Sequence, residues 1–129
     1  MSGAAHPIPF SARIGTVRTA LSEHGLDALL VTHPPNLRYL VGFDGSVAAL
    51  VVSRSACVLV VDGRYLASAR KRADETEDLR HIRVELADGP LEQTVAHVVI
   101  DAELHRLGVE AAVMTLSRFA GFVGAPARP

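Results

Sequence analysis

The chain has no tryptophan and a single cysteine, and aromatic residues make up only 5% of it. One cysteine, Cys57, excludes an internal disulfide and a paired-cysteine zinc site, and it suits a reducing compartment. Basic charge is not in excess. Thirteen Lys+Arg against 14 Asp+Glu give a formal net charge of −1, so the composition holds no footprint for nucleic acid. Long apolar runs are missing as well. The longest, Val47–Val52 and Ala56–Val61, fall far short of the roughly twenty residues that span a bilayer. The first ten residues hold two prolines and no Lys or Arg, which does not read as a secretory signal. Catalytic signatures are absent too. The six histidines form neither a His-x-x-x-His nor a His-Glu-x-x-His pattern, and there is no Gly-x-Ser-x-Gly elbow. Gly42-Phe43-Asp44-Gly45-Ser46 is glycine-rich but lacks the lysine of a phosphate loop.

What is present is apolar content: 49% of 129 residues, enough for one modest core and too much for a disordered segment. Ile14, Val17, Leu21 and Ala20 recur at helical spacing after a possible cap at Ser11, and Gly25 closes that helix. Leu26–Val31 predicts a buried strand, bounded by Gly25 and by Pro34-Pro35. Asn36–Val41 predicts a short helix stopped by Gly42. Val47–Val52 and Cys57–Val61 predict the two strands of a hairpin. A helix is expected over Arg64–Arg72, ending near Ala73 because acids disfavour a helix C-terminus; Asp74–Asp78 is then loop. His81–Leu86 alternates like a half-exposed strand. A helix follows Asp88-Gly89-Pro90 through about His105, with Leu91, Val95, Val98 (or Val99) and Ala102 inward. Gly108–Met114 predicts a last strand, and Thr115 caps a closing helix over Leu116–Phe122. The alternation argues an α/β fold: a mixed β-sheet with a central hairpin and helices on both faces.

Cys57 opens an apolar strand, which predicts a core thiol rather than a nucleophile. The 12 arginines are scattered, and Arg70-Lys71-Arg72 reads as a solvated helix end. Two segments stand out. Asn36–Ser46 and Asp62-Gly63-Arg64-Tyr65 each set charge and an aromatic ring beside glycines at the end of a regular element, where sites usually sit. Turn formation and packing are the competing account of the same residues. Arg38 and Tyr39 are neighbours on a helix and point about 100° apart, so only one can face the core. Tyr39 is expected inward or at a buried edge, and Arg38 outward.

These segments carry a resemblance. Gly25–Val31, Asn36–Phe43, Gly45-Ser46, Asp62–Tyr65, Gly108-Val109-Glu110 and Met114-Thr115, in this order and spacing, resemble the N-terminal domain of the creatinase/prolidase/Xaa-Pro aminopeptidase family of metallopeptidases. The match runs from about Arg13 to Phe122. Ala48 stands where a second glycine is common, and Val41 where Thr or Ser is, so the subfamily and its substrate stay open. The resemblance implies a ribonuclease H-like mixed sheet over residues 11–123, a disordered segment at 1–10, and a linker stub at 124–129 leading to an absent catalytic domain. It implies that no residue here is catalytic or a metal ligand. Two divalent metal ions (Mn, Co or Zn) would belong to that other domain. It implies a cytoplasmic homo-oligomer in which this domain meets the catalytic domain and a neighbouring subunit, with no nucleic acid and no membrane as partner. Arg38, Tyr39, Phe43, Asp62, Arg64 and Tyr65 are then the candidates for a substrate-entrance wall or for assembly. Asp62 and Arg64 have a second reading as a local ion pair that fixes a turn. Two other classes remain beside this one: a stand-alone α/β interaction module, and an enzyme using Cys57 or a carboxylate pair.

Overall fold

The computed structural model describes residues 8–111 together with Met114 and Phe122. The order of elements is α1 (Phe10–His24), β1 (Ala28–Val31), α2 (Pro34–Val41), β2 (Ala48–Ser53), β3 (Cys57–Val61), α3 (Leu66–Glu75), a 3₁₀ turn (Glu77–Leu79), β4 (Arg83–Leu86), α4 (Leu91–Asp101) and β5 (Leu107–Val109). The expected closing helix from Thr115 lies outside the described residues.

The strands form one mixed sheet in the order β4-β3-β2-β1-β5. β2 pairs antiparallel with both β1 and β3, while β4 joins β3 and β5 joins β1 in parallel. The hairpin is therefore central. Every residue of β2 and β3 is buried, which explains their unbroken apolar runs: both faces are covered, so no polar alternation survives. One face carries Leu50, Val52, Leu59 and Val61 against Ile14 of α1, Leu37 and Leu40 of α2, and Ala69 of α3. The other carries Leu30, Val51, Val58 and Val60 against Leu91, Val95 and Val98 of α4. Ser53 fixes the hairpin turn: its hydroxyl oxygen accepts the Ala56 N–H at 2.9 Å, and its own N–H donates to the Ala56 carbonyl at 2.9 Å.

Several local expectations need correction. Ser11 does not cap α1; the helix begins at Phe10, after Pro9. The acceptor comes from far along the chain instead, since the Ser11 N–H donates to Asp78 Oδ2 at 2.9 Å. That contact also accounts for the acidic run. α3 continues through Glu75, and Asp78 serves the positive N-terminus of α1 rather than burdening the C-terminus of α3. Ala20 is exposed beside Leu21, and Ala102 is exposed because α4 ends at Asp101. β1 and β5 are shorter than expected. Gly25 does adopt the left-handed conformation (φ +64°), and the Leu26 N–H reaches back to the Leu21 carbonyl at 2.8 Å.

Candidate functional site

α2 enters through Pro34 and Pro35, which bring no N–H to leave unpaired and a φ already suited to a helix. Its start is held by Glu110, just past β5. Oε1 accepts the N–H of Thr32 at 2.6 Å and of His33 at 3.1 Å, and Oε2 accepts Asn36 Nδ2 at 2.6 Å. Its end is held by Arg72 of α3, whose Nε donates to the Val41 carbonyl at 3.1 Å. Gly42 then turns left-handed (φ +67°), and a Cβ there would lie 1.9 Å from Arg72 Nη2. A side chain at position 42 would displace the Arg72 guanidinium, and the left-handed backbone there favours glycine in its own right.

After Gly42 the chain drops Phe43 into the core, 5% exposed. The ring lies so close over Gly45 that a Cβ on that residue would be 2.2 Å from it. Tyr65 meets the Phe43 ring edge to face, with centroids 5.6 Å apart and planes at 84°. Tyr65 and Ser46 share a hydrogen bond of 3.0 Å between their hydroxyls, which holds the Tyr65 phenol below its usual pKa. Asp62 accepts the Arg64 N–H at 3.0 Å and its guanidinium at 2.9 Å and 3.1 Å. The guanidinium hydrogen bonds keep the Asp62 carboxyl below the usual range. The Arg64 guanidinium lies 5.2 Å from the Tyr65 ring centroid. The two segments that stood apart in the sequence therefore form one wall. Beside it is an open depression of about 420 Å³ lined by Gly42, Phe43, Asp44, Gly45, Tyr65, Ser68 and Arg72.

Arg38 points outward, as expected, and pairs with Asp44 at 2.8 Å. Tyr39 contradicts expectation. It is 53% exposed, and its ring is covered by the Arg13 guanidinium at 4.4 Å rather than by the core. Leu37, Leu40 and Val41 already supply the buried stripe of this two-turn helix, so position 39 falls outside it. The same Arg13 donates to the Tyr39 carbonyl at 2.7 Å and lies over Phe10 at 5.1 Å. Sequence reasoning missed Arg13, Arg72, Asp78 and the bridging role of Glu110. None of them carries a local signal, because each partner is 26 or more residues away.

Cys57 is 1% exposed, and burial pushes its thiol up to about 11. A thiol so placed holds about a hundredfold less thiolate at pH 8 than one near its ordinary value. Iodoacetamide should therefore modify the native chain at least that much more slowly than the urea-unfolded chain; equal rates would restore the nucleophile reading. Among the described residues no three His, Cys, Asp or Glu side chains gather closely enough to hold a metal ion.

The sequence profile of the creatinase/prolidase N-terminal domain matches residues 13–125. The chain belongs to this family. It is 30% identical over 110 residues to the uncharacterized peptidase YqhT of Bacillus subtilis, a match covering 85% of the chain and 30% of that protein. The chain thus spans under a third of that curated relative. The N-terminal domain of the cytoplasmic peptidase PepQ from Mycobacterium tuberculosis H37Rv superposes with a TM-score of 0.77 at 30% identity, covering 88% of this chain and 83% of that one. An Xaa-Pro dipeptidase from Bacillus anthracis shares the fold, with a TM-score of 0.80 at 24% identity, over 90% of this chain and 31% of that one. No helix among the described residues is long and apolar enough to cross a membrane.

Proposed function

We propose that this chain is the non-catalytic N-terminal domain of a cytoplasmic, metal-dependent Xaa-Pro aminopeptidase or dipeptidase, and that it walls the substrate entrance and takes part in homo-oligomer assembly. The observation that supports this reading most is the joining of residues 43–46 and 62–65 into one aromatic-backed wall beside an open depression. A wall of this kind contributes shape and charge, and it admits short peptides while excluding folded chains. The hydrolytic chemistry then belongs to a catalytic domain outside this sequence, where a pair of divalent metal ions would activate water and polarise the scissile carbonyl. This chain's own contribution is to hold Asp62, Arg64 and Tyr65 in place at the rim, with Arg38, Tyr39 and Phe43 completing that end of the sheet.

The test is Arg64→Ala in the full-length peptidase. Loss of an exposed charge pair predicts a rise in KM of about two- to fivefold for short proline-containing peptides, or an equivalent weakening of assembly, with kcat near its original value. Unchanged kinetics together with unchanged assembly would reject the wall reading.

A further inference from the structure

The wall lies where β2 begins and β3 ends; the opposite end of the sheet, at the hairpin turn, gathers three arginines. Ala28 of β1 pairs with Ser53 of β2 on one side and with Leu107 of β5 on the other. One step beyond this ladder, Arg54, Asp27 and Arg106 therefore stand side by side across three strand ends. The Asp27 N–H donates to the Arg106 carbonyl at 2.8 Å. Arg18 of α1 reaches the same corner, where its Nε donates to the Ser53 carbonyl at 2.9 Å. Arg54 Nε donates to the Leu26 carbonyl at 3.1 Å, and Arg106 Nη1 would be 4.0 Å from a Cβ on Gly25. Arg54 and Arg106 are exposed, and Arg18 is half-buried. None of the three forms an ion pair with a carboxylate of the described residues. Asp27 stands between them, but its Oδ2 accepts the N–H groups of His105 and Arg106. Glu23 comes five residues after Arg18, which sets it about 140° away round α1.

We propose that this corner is a docking surface for an acidic polypeptide segment, which sets its carboxylates against Arg18, Arg54 and Arg106. A guanidinium tethered through Nε keeps its terminal nitrogens for a carboxylate and loses less freedom on binding one. The spacing favours a chain over a small anion. The backbones of Arg54 and Arg106 flank that of Asp27 and so are two strand spacings apart, roughly 10 Å. Carboxylates two or three residues apart on an extended segment are separated by roughly 7–10 Å. Arg18 adds a third point from a different element. Like charges gathered around one acid that is already engaged repel each other in the free chain, and an acidic partner relieves that repulsion. The surface is at the far end of the sheet from residues 43–46 and 62–65, so the proposal does not rest on the entrance reading.

The isotope-labelled chain is titrated with an end-capped hexaglutamate peptide, with the matching hexaglutamine peptide and with inorganic phosphate. NMR follows the backbone amides of Gly25, Leu26, Ser55 and Arg106 and the Arg54 side-chain N–H. Saturable shifts at this corner are expected with hexaglutamate and none with hexaglutamine, and phosphate should bind at least about tenfold more weakly. Raising the salt from about 50 to about 200 mM should weaken peptide binding several-fold, as exposed charges are screened. Arg106→Gln should weaken it about threefold, and Arg54→Gln combined with Arg106→Gln at least about tenfold. Lys71→Gln, an exposed cation on α3, should change nothing. If the double variant does not fold, Arg106→Glu decides: a reversed charge at this exposed position should weaken binding at least about tenfold. Phosphate binding as tightly as hexaglutamate, shifts centred on Arg70-Lys71-Arg72, no saturation, or Arg106 variants that bind as well as the parent would each overturn the proposal. None of these outcomes touches the Arg64 test of the wall.

Discussion

Phe43→Ala is expected to lower the stability of the chain by about 3–5 kcal/mol, the range for emptying an aromatic ring from a packed core. The ring is almost fully enclosed and belongs to the cluster that includes Leu40, Leu59, Val61 and Ala69. It also supports Tyr65 edge to face, so its loss removes the backing of the wall as well as core volume. Phe43→Leu keeps most of that volume and should cost about 1 kcal/mol. Urea unfolding of the three proteins measures the difference; a cost below about 1 kcal/mol for the alanine variant would mean that the ring is not seated where the geometry puts it. Gly45→Ala gives an independent check. Its Cβ would strike the Phe43 ring, so the two substitutions should be strongly non-additive: Gly45→Ala should hurt the Phe43→Ala background far less than the parent.

Glu110→Ala should cost about 2 kcal/mol, within the range for hydrogen bonds to a charged acceptor. The carboxylate receives the N–H groups of Thr32 and His33, the Thr32 hydroxyl at 3.3 Å and the Asn36 amide, and among the described residues no other side chain accepts from them. Without it the N-terminal end of α2 loses its anchor to β5. Amide exchange should therefore accelerate at Thr32 and His33 before it does in β2 or β3. Glu110→Gln keeps one oxygen acceptor and should lose about half as much. Hydrogen exchange read by NMR separates the local effect from global destabilisation; uniform acceleration across the sheet would count against a clamp on α2.

How far the sequence could be read follows from the distance over which each feature is decided. The hairpin was legible because two β-branched runs are separated by a short polar turn, and antiparallel pairing needs nothing further away. The left-handed glycines at positions 25 and 42 were legible as helix stops for the same reason. Tyr39 was not. Its helix has only two turns, and three apolar neighbours claim the inner face, so its side was settled by Arg13 reaching across from α1. The helix starts were misread alike. The cap of α1 comes from Asp78 and the clamp on α2 from Glu110, 67 and up to 78 residues away. A third carboxylate, Asp27, does the same for the loop before β5: its Oδ2 accepts the N–H groups of Arg106 and His105, which holds its carboxyl below the usual range.

By itself the sequence determined the apolar pattern, the order of helices and strands, and the residue types at two loop segments that mark the family. Those depend on local periodicity and on turn chemistry. Tertiary structure alone decided which loops became neighbours. The antiparallel β2–β3 pairing and the path of α3 set Tyr65 against Phe43 and Ser46. The parallel β1–β5 pairing set Glu110 against Thr32. Arg70, Lys71 and Arg72 are exposed near the end of α3, as the sequence indicated; only the fold decided that Arg72 would also reach the Val41 carbonyl at the end of α2.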